Sequence, residues 1–194
     1  MIVLGVIAGA AGCSAPSTSP VSSSAVQTVP SASLTPASGI PSESLALHVD
    51  SLNPGALLPN INSCTGSSES PEVSWDRIPD GTKSLVLILD DPDAPSGTFT
   101  HWLVYNIPPV TVRFSRAQPD QKVLANGAQQ GDNSAGSRGY YPPCPPIGTT
   151  HRYIFRLYAV DMVITQPTAN RESIDAALVG HTLGKAEFVT SFTR

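Results

Sequence analysis

The sequence predicts a mainly β fold: an antiparallel β-sandwich with peripheral short helices and one late α-helix. Short apolar or alternating runs recur at intervals of roughly 10–20 residues, the rhythm of packed antiparallel strands. The connections between them are rich in turn formers, with 19 prolines and 15 glycines among 194 residues. Only one segment, close to the C-terminus, carries the 3–4 apolar spacing of a helix. No internal repeat interrupts this pattern.

The chain opens on a segment of a different kind. Its first 42 residues carry no charged side chain, and every Lys, Arg, Asp and Glu lies in the 152 that follow. Residues 2–12 (IVLGVIAGAAG) form an apolar run of signal-peptide length, shorter than the ~18 residues of a spanning helix. Residues 10–13 (AAGC) then resemble the lipobox of bacterial lipoproteins, in which cleavage precedes the Cys and that Cys, here Cys13, is lipidated. Ordinary secretion with cleavage near residues 8–10 is the alternative, and a cytoplasmic chain with an apolar tail is the third reading. Residues 14–42 hold ten Ser, five Pro, four Ala and three Thr. Such a composition buries too little apolar surface to offset its ordering entropy, so a disordered tether is expected. The domain plan is therefore a signal peptide at 1–12, a lipid-anchor Cys and tether at 13–43, and one globular domain at 44–194. The predicted location is the cell envelope, exported and lipid-anchored on the outer face of the cell membrane.

The domain reads as strands in sequence. Residues 45–49 alternate, and residues 71–75 are extended behind a proline. Residues 84–90 (SLVLILD) are continuously apolar, which suits a strand buried on both faces. Residues 101–107 (HWLVYNI) are aromatic and β-branched, and residues 151–161 (HRYIFRLYAVD) alternate strictly. Residues 187–192 suit a terminal strand. The helix is expected after a cap at Thr168 or Asn170. Ile174, Ala177, Leu178 and His181 form its apolar stripe, and Gly180 or Gly184 ends it.

Several function classes fall away. The net charge of −4 and the absence of a Lys/Arg cluster argue against nucleic-acid binding. No P-loop, dinucleotide-binding glycine pattern or G-x-S-x-G elbow is present. Residues 131–136 (GDNSAG) approach the G-D-S-G-G of serine proteases, but Asn133 breaks its spacing. No catalytic residue, metal ligand or cofactor is assigned, and the protein is read as a non-enzyme. Three Cys occur, at 13, 64 and 144, with no C-x-x-C zinc spacing. With Cys13 lipidated, Cys64 and Cys144 remain. In an oxidising compartment they pair as a disulfide, and otherwise they are two buried thiols.

Three segments could carry chemistry. Residues 91–95 (DPDAP) end the apolar strand in a stiff turn that bears two carboxylates. Residues 97–102 (GTFTHW) put His101 at a strand start. Residues 139–148 (GYYPPCPPIG) form a proline-stiffened loop, followed by His151-Arg152-Tyr153. Each has a bland reading as a turn or structural loop. Together they place two Asp and two His at strand ends, a set able to hold a small polar ligand or, since carboxylate and imidazole are both common ligands, a metal.

These motifs, in this order, resemble the phosphatidylethanolamine-binding protein family, in its bacterial Raf-kinase-inhibitor-like branch. The match runs through Cys64-Thr65-Gly66, Ser70-Pro71, Ser74-Trp75, residues 91–95, His101-Trp102, residues 143–148 and residues 151–159, and so covers the whole domain. The resemblance implies a β-sandwich with a small pocket for an anion, typically a lipid-headgroup phosphate. It implies pocket roles for Asp91, Asp93, His101, Pro146, His151 and Tyr153. In such a pocket one Asp fixes a His tautomer, while the other His nitrogen, the Tyr153 hydroxyl and loop N–H groups meet the phosphate. One carboxylate could instead meet the ammonium of an ethanolamine. Anion binding is then expected to weaken as pH rises through the His titration, from an unperturbed value of about 6.5. The expected function is an exported binding protein for a small phosphate-bearing ligand, with the membrane as partner through lipidated Cys13. The alternative is an inhibitor or regulator of a protein partner, acting through the proline-rich rim at residues 142–146.

Overall fold

A computed structural model describes residues 44–165 and 169–194. The expected signal peptide, the anchor at Cys13 and the tether lie outside the described residues. Among those described, no helix is long and apolar enough to cross a membrane.

The strands are β1 (Ala46–Val49), β2 (Val73–Asp76), β3 (Ser84–Asp91), β4 (Phe99–Ile107), β5 (Arg113–Phe114), β6 (Gln129–Gln130), β7 (Thr150–Val160) and β8 (Thr182–Thr193). One helix, α1 (Arg171–Leu178), and a 3₁₀ turn at Asn60–Asn62 complete the set. Two sheets form, β1-β2-β5 and β6-β4-β3-β7-β8, with antiparallel pairing between all these neighbours. Strands 45–49, 71–75, 84–90, 101–107 and 151–161 appear within a residue or two of their expected bounds. The last strand begins five residues earlier than expected, at Thr182. The two-residue strands β5 and β6 are too short to leave a periodic signal.

The larger sheet is covered on both sides, which explains the unbroken apolar run of β3. Leu85, Leu87 and Leu89 face the smaller sheet, packing with Val73, Trp75 and Phe114. Val86 and Ile88 face the other way, against Ile174 and Leu178 of α1. All eight residues of β3 are buried. The two indoles also satisfy their polar ends: Trp75 Nε1 donates to the Thr111 carbonyl at 2.8 Å, and Trp102 Nε1 to Gln130 Oε1 at 2.7 Å.

Asn170 caps α1 by accepting from the Ser173 N–H at 2.9 Å, and the Asn170 N–H donates to Ser173 Oγ at 3.0 Å. The expected stripe runs one position too far. The helix stops at Leu178, Val179 is extended, and Gly180 turns the chain at φ +78°. His181 therefore leaves the helix and pairs with Asp161 at 2.8 Å on the surface.

The register between β3 and β4 decides where the site forms. Leu89 opposes Trp102, but Asp90 opposes Thr100, so His101 is an extra residue on β4. A β-bulge of this kind re-aims a side chain across the sheet. Strict alternation would put His101 on the face opposite Trp102. Its ring instead meets Tyr153, on the sandwich-core face, with centroids 5.3 Å apart.

Candidate functional site

One end of the sandwich core opens into a cavity of about 350 Å³. Asp91 reaches it from the end of β3, Phe99 and His101 from the start of β4, and His151 from the start of β7. The proline-rich loop closes it with Tyr141, Cys144 and Pro146. Four of the six expected residues thus line one cavity: Asp91, His101, Pro146 and His151. Larger clefts exist elsewhere, one of about 450 Å³ and two of about 410 Å³, of which the one beside Arg116 holds the Arg116–Asp50 ion pair. The first, beside Ser44 and Leu183, gathers no buried titratable group, and the second surrounds Asp90, whose charge is already paired.

The buried polar groups are organised around Asp91. His151 Nδ1 donates to Asp91 Oδ2 at 2.8 Å, and the Asp93 N–H donates to Asp91 Oδ1 at 2.8 Å. Asp91, His101 and His151 are 4%, 5% and 7% exposed, so these bonds act with little screening by water. His101 Nδ1 donates to the Tyr141 carbonyl at 2.8 Å. A carbonyl only accepts, so this contact fixes the Nδ1–H tautomer of neutral His101. Each imidazole therefore keeps Nε2 for the cavity. Burial lowers the His101 pKa below 6.5, against the raising effects of its Tyr141 bond and the Asp91 charge.

The other two expected residues sit differently. Asp93 is turned outward and held by a two-pronged Arg152 guanidinium, with Nη2 to Oδ1 at 2.6 Å and Nε to Oδ2 at 2.9 Å; the Arg152 N–H adds a third bond at 2.9 Å. These bonds to Arg152 lower the Asp93 pKa to about 2. Tyr153 is fully buried beneath His101, and its hydroxyl has no hydrogen-bond partner of good geometry. Burial first, then the nearby Asp91 charge, raises the Tyr153 pKa. The hydroxyl therefore stays a neutral O–H donor close to the Asp91 carboxylate.

The loop is anchored at several points. Cys64 and Cys144 form a disulfide with Cα atoms 5.4 Å apart, settling the choice between bridge and free thiols. Beside it the Cys64 N–H donates to the Pro143 carbonyl at 3.0 Å, and the Tyr140 hydroxyl to the Asn62 carbonyl at 2.7 Å. Gly66 lets the 3₁₀ segment fold back on itself: a Cβ there would fall 2.0 Å from the Asn60 carbonyl oxygen. The GDNSAG segment is structural. The Asn133 side chain accepts from the Ala135 and Ser137 N–H groups and donates to the Gly139 carbonyl. Ser134 Oγ accepts from the Thr100 N–H at 2.8 Å, beside the bulge.

Sequence reasoning did not single out Phe99, Arg152 or the Asp90 network. Phe99 stacks against His101 at 4.7 Å and Tyr141 at 5.5 Å. Asp90, on the opposite sheet face from Asp91, accepts from Thr100 Oγ1 and from Arg156 and Arg171. The signal available for this network was an Asp inside an apolar strand with Arg156 on the neighbouring strand. Among the described residues no group of three or more His, Cys, Asp or Glu side chains could hold a metal ion.

Comparison with known proteins agrees with this architecture. A model of the phosphatidylethanolamine-binding protein family matches residues 48–193. A UPF0098 protein of Methanothermobacter thermautotrophicus is 44% identical over 149 residues, covering 76% of this chain and 98% of its own length. A Mycobacterium tuberculosis protein named "Putative lipoprotein LppC" is 36% identical over 140 residues, covering 71% of this chain and 67% of its own. Among solved structures, the phosphatidylethanolamine-binding protein homolog CT736 of Chlamydia trachomatis superposes with a TM-score of 0.71 at 35% identity, over 78% of this chain and 98% of that one. YbcL of E. coli, described as a member of the same family, gives 0.70 at 25% identity, over 77% and 98%. Fold, motif order and relatives converge, and the chain belongs to the phosphatidylethanolamine-binding protein family.

Proposed function

We propose that this chain is an exported binding protein that holds a small phosphate-bearing anion between His101 and His151. The observation that carries the proposal is the pairing of both Nδ1 atoms, to Tyr141 O and Asp91 Oδ2. That pairing leaves two Nε2 atoms for one small cavity. Protonated, each becomes a charge-assisted donor to a phosphate oxygen. The unpartnered Tyr153 hydroxyl supplies a further donor below them. Nothing in the set suits a nucleophile: an activated Ser or Cys beside a base is what hydrolysis needs, and Cys144 is tied up in a disulfide. Binding rather than catalysis is therefore the reading.

Titration with inorganic phosphate, followed by the His101 and His151 ring signals in NMR, tests it. Both sets of signals should move and saturate together. Rings that stay still, or an affinity unchanged in His151→Ala, would refute it.

The anchor at Cys13 is proposed on the AAGC motif and on the name of the mycobacterial relative. Incorporation of a labelled fatty acid, lost in Cys13→Ala, is the check. A second reading has one observation in its favour. Ile147 is 81% exposed and Tyr141 40% exposed on the proline-rich rim, a surface able to contact a protein partner as an inhibitor would. A partner retained by His mutants but lost on Tyr141 and Pro142 changes would favour it.

A further inference from the structure

We infer that Arg152 is a positioning residue for the phosphate site: its clamp on Asp93 holds the 91–95 turn in the arrangement that keeps Asp91 on His151 Nδ1. The inference rests on the phosphate reading above and concerns what holds that site in shape.

The backbone ladder between β3 and β7 stops short of the pocket. Its last pair is Asp90 with Ile154, although β7 begins at Thr150. Past Asp91 the chain meets Pro92, which has no N–H to continue the ladder. His151 therefore lies on a stretch of β7 that pairs with β8 on one side and has no ladder partner on the other. Side chains close that gap. The Arg152 N–H donates to Asp93 Oδ2 at 2.9 Å, a carboxylate serving in place of a ladder carbonyl.

The bonds then run in a closed circuit. Arg152 Nη2 and Nε fork onto the Asp93 carboxylate at 2.6 and 2.9 Å. The Asp93 N–H donates to Asp91 Oδ1, and His151 Nδ1 donates to Asp91 Oδ2, both at 2.8 Å. His151 and Arg152 are chain neighbours, which completes the circuit. A carboxylate is planar, so holding Oδ1 fixes the direction in which Oδ2 points. The bonds to Arg152 lower the Asp93 pKa to about 2, so both sides of the clamp are charged at neutral and mildly acidic pH.

Stability does not account for this clamp. The Arg152 and Asp93 side chains are 59% and 30% exposed, and pairs this open add little to folding. What the clamp governs is the shape of a turn whose Asp91, Ala94 and Pro95 line the cavity.

The test compares the full chain with Arg152→Lys and Asp93→Asn, using inorganic phosphate as the probe. Arg152→Lys keeps the cation and loses the two-pronged geometry. Asp93→Asn removes a negative charge near an anion site, so charge alone would tighten binding. Positioning predicts the opposite sign. Both variants should lose phosphate affinity by roughly threefold to tenfold, the scale of coupling within one hydrogen-bond network. Without ligand, the His151 ring nitrogen shifts should move toward those of mixed tautomers in both variants, while the urea midpoint stays close to the wild-type value. Binding unchanged or tighter in Asp93→Asn, or His151 shifts equal to wild type in both variants, overturns the inference and leaves the phosphate site standing. So does an affinity loss matched by an equal fall in the urea midpoint, which would make the clamp a structural one. A wild-type chain whose His101 and His151 signals do not respond to phosphate overturns the phosphate reading, and the inference with it.

Discussion

His151 gives its Nδ1 proton to Asp91 Oδ2 across 2.8 Å, and both side chains are shielded from solvent. The bond fixes which nitrogen faces the cavity and holds a carboxylate directly against the ring. Asp91→Asn keeps the shape and removes the charge. A hydrogen bond to a charged group is worth about 1.5–3 kcal/mol, so phosphate affinity should fall by about tenfold or more. Calorimetry of the variant, with the nitrogen shifts of His151 as a tautomer readout, measures both effects. An unchanged affinity would remove Asp91 from this role.

The second prediction concerns pH. Burial holds His101 below its ordinary value of 6.5, so the folded protein resists protonating it while the unfolded chain does not. The unfolded state then binds more protons on acidification, and stability falls as pH drops below 6.5 toward the lowered folded value. Phosphate acts in the opposite direction, because it favours the imidazolium. The melting temperature without ligand should therefore decline between pH 7 and 5, and the rise on adding phosphate should be larger at pH 5.5 than at pH 8. Asp93 cannot cause the decline. Its pKa of about 2 lies below the ordinary 3.8, so its contribution is present above 3.8 and is lost only as pH falls from there toward about 2. A phosphate effect equal at both pH values would contradict the sign.

Much of this site was legible in the sequence. The apolar run of β3, the alternation of β7 and the order of the DPDAP, HW and PCPP motifs located the cavity residues. What was not legible has a physical reason in each case. Period-2 alternation assumes an unbroken register, so it cannot reveal the bulge that brings His101 to the core face. Asp93 and Arg152 are 59 residues apart, and the capture of one by the other depends on the turn geometry. Tyr153 lies on β7 one inward-facing position deeper than His151, and its full burial depends on how the core closes around it, which alternation along the strand does not show.

A third prediction follows from the Cys64–Cys144 bridge, which spans a sequence separation of 80 residues. On the chain-entropy model such a closure contributes about 4 kcal/mol, mainly by restricting the unfolded chain. Replacing both cysteines by serine should lower the urea midpoint by a corresponding amount. The bridge also forms part of the cavity wall through Cys144. Phosphate affinity should therefore fall with stability, by about threefold to tenfold on the scale of a loosened loop. Titrating phosphate into the double variant below its unfolding temperature separates the two effects. An unaltered affinity would show that Tyr140, Tyr141 and the Pro143 carbonyl hold the loop without the sulfur bridge.

Asp90 and Asp91 are chain neighbours on β3, yet their mutants should fail in opposite ways. Asp90 is 1% exposed and serves the outer face of the sheet. Its Oδ1 accepts from Thr100 Oγ1 at 2.8 Å, and its Oδ2 accepts from Arg156 at 2.7 Å and from Arg171 of α1. Asp90→Asn leaves two guanidiniums partly uncompensated over a buried amide. Breaking a buried ion pair from one side costs about 3–5 kcal/mol, and the partial exposure of both arginines places this one near 3 kcal/mol. The pocket lies on the other face, so phosphate affinity in Asp90→Asn should stay within about threefold, well under 1 kcal/mol. Asp91→Asn should show the reverse, a large loss of affinity with a smaller loss of stability. Asp93→Asn, at an exposed pair, supplies the control and should change stability by less than about 1 kcal/mol. Urea unfolding and phosphate titration on the three variants give a two-by-three pattern. If Asp90→Asn weakens phosphate as much as Asp91→Asn does, the two faces of β3 are not independent and the separation of roles fails.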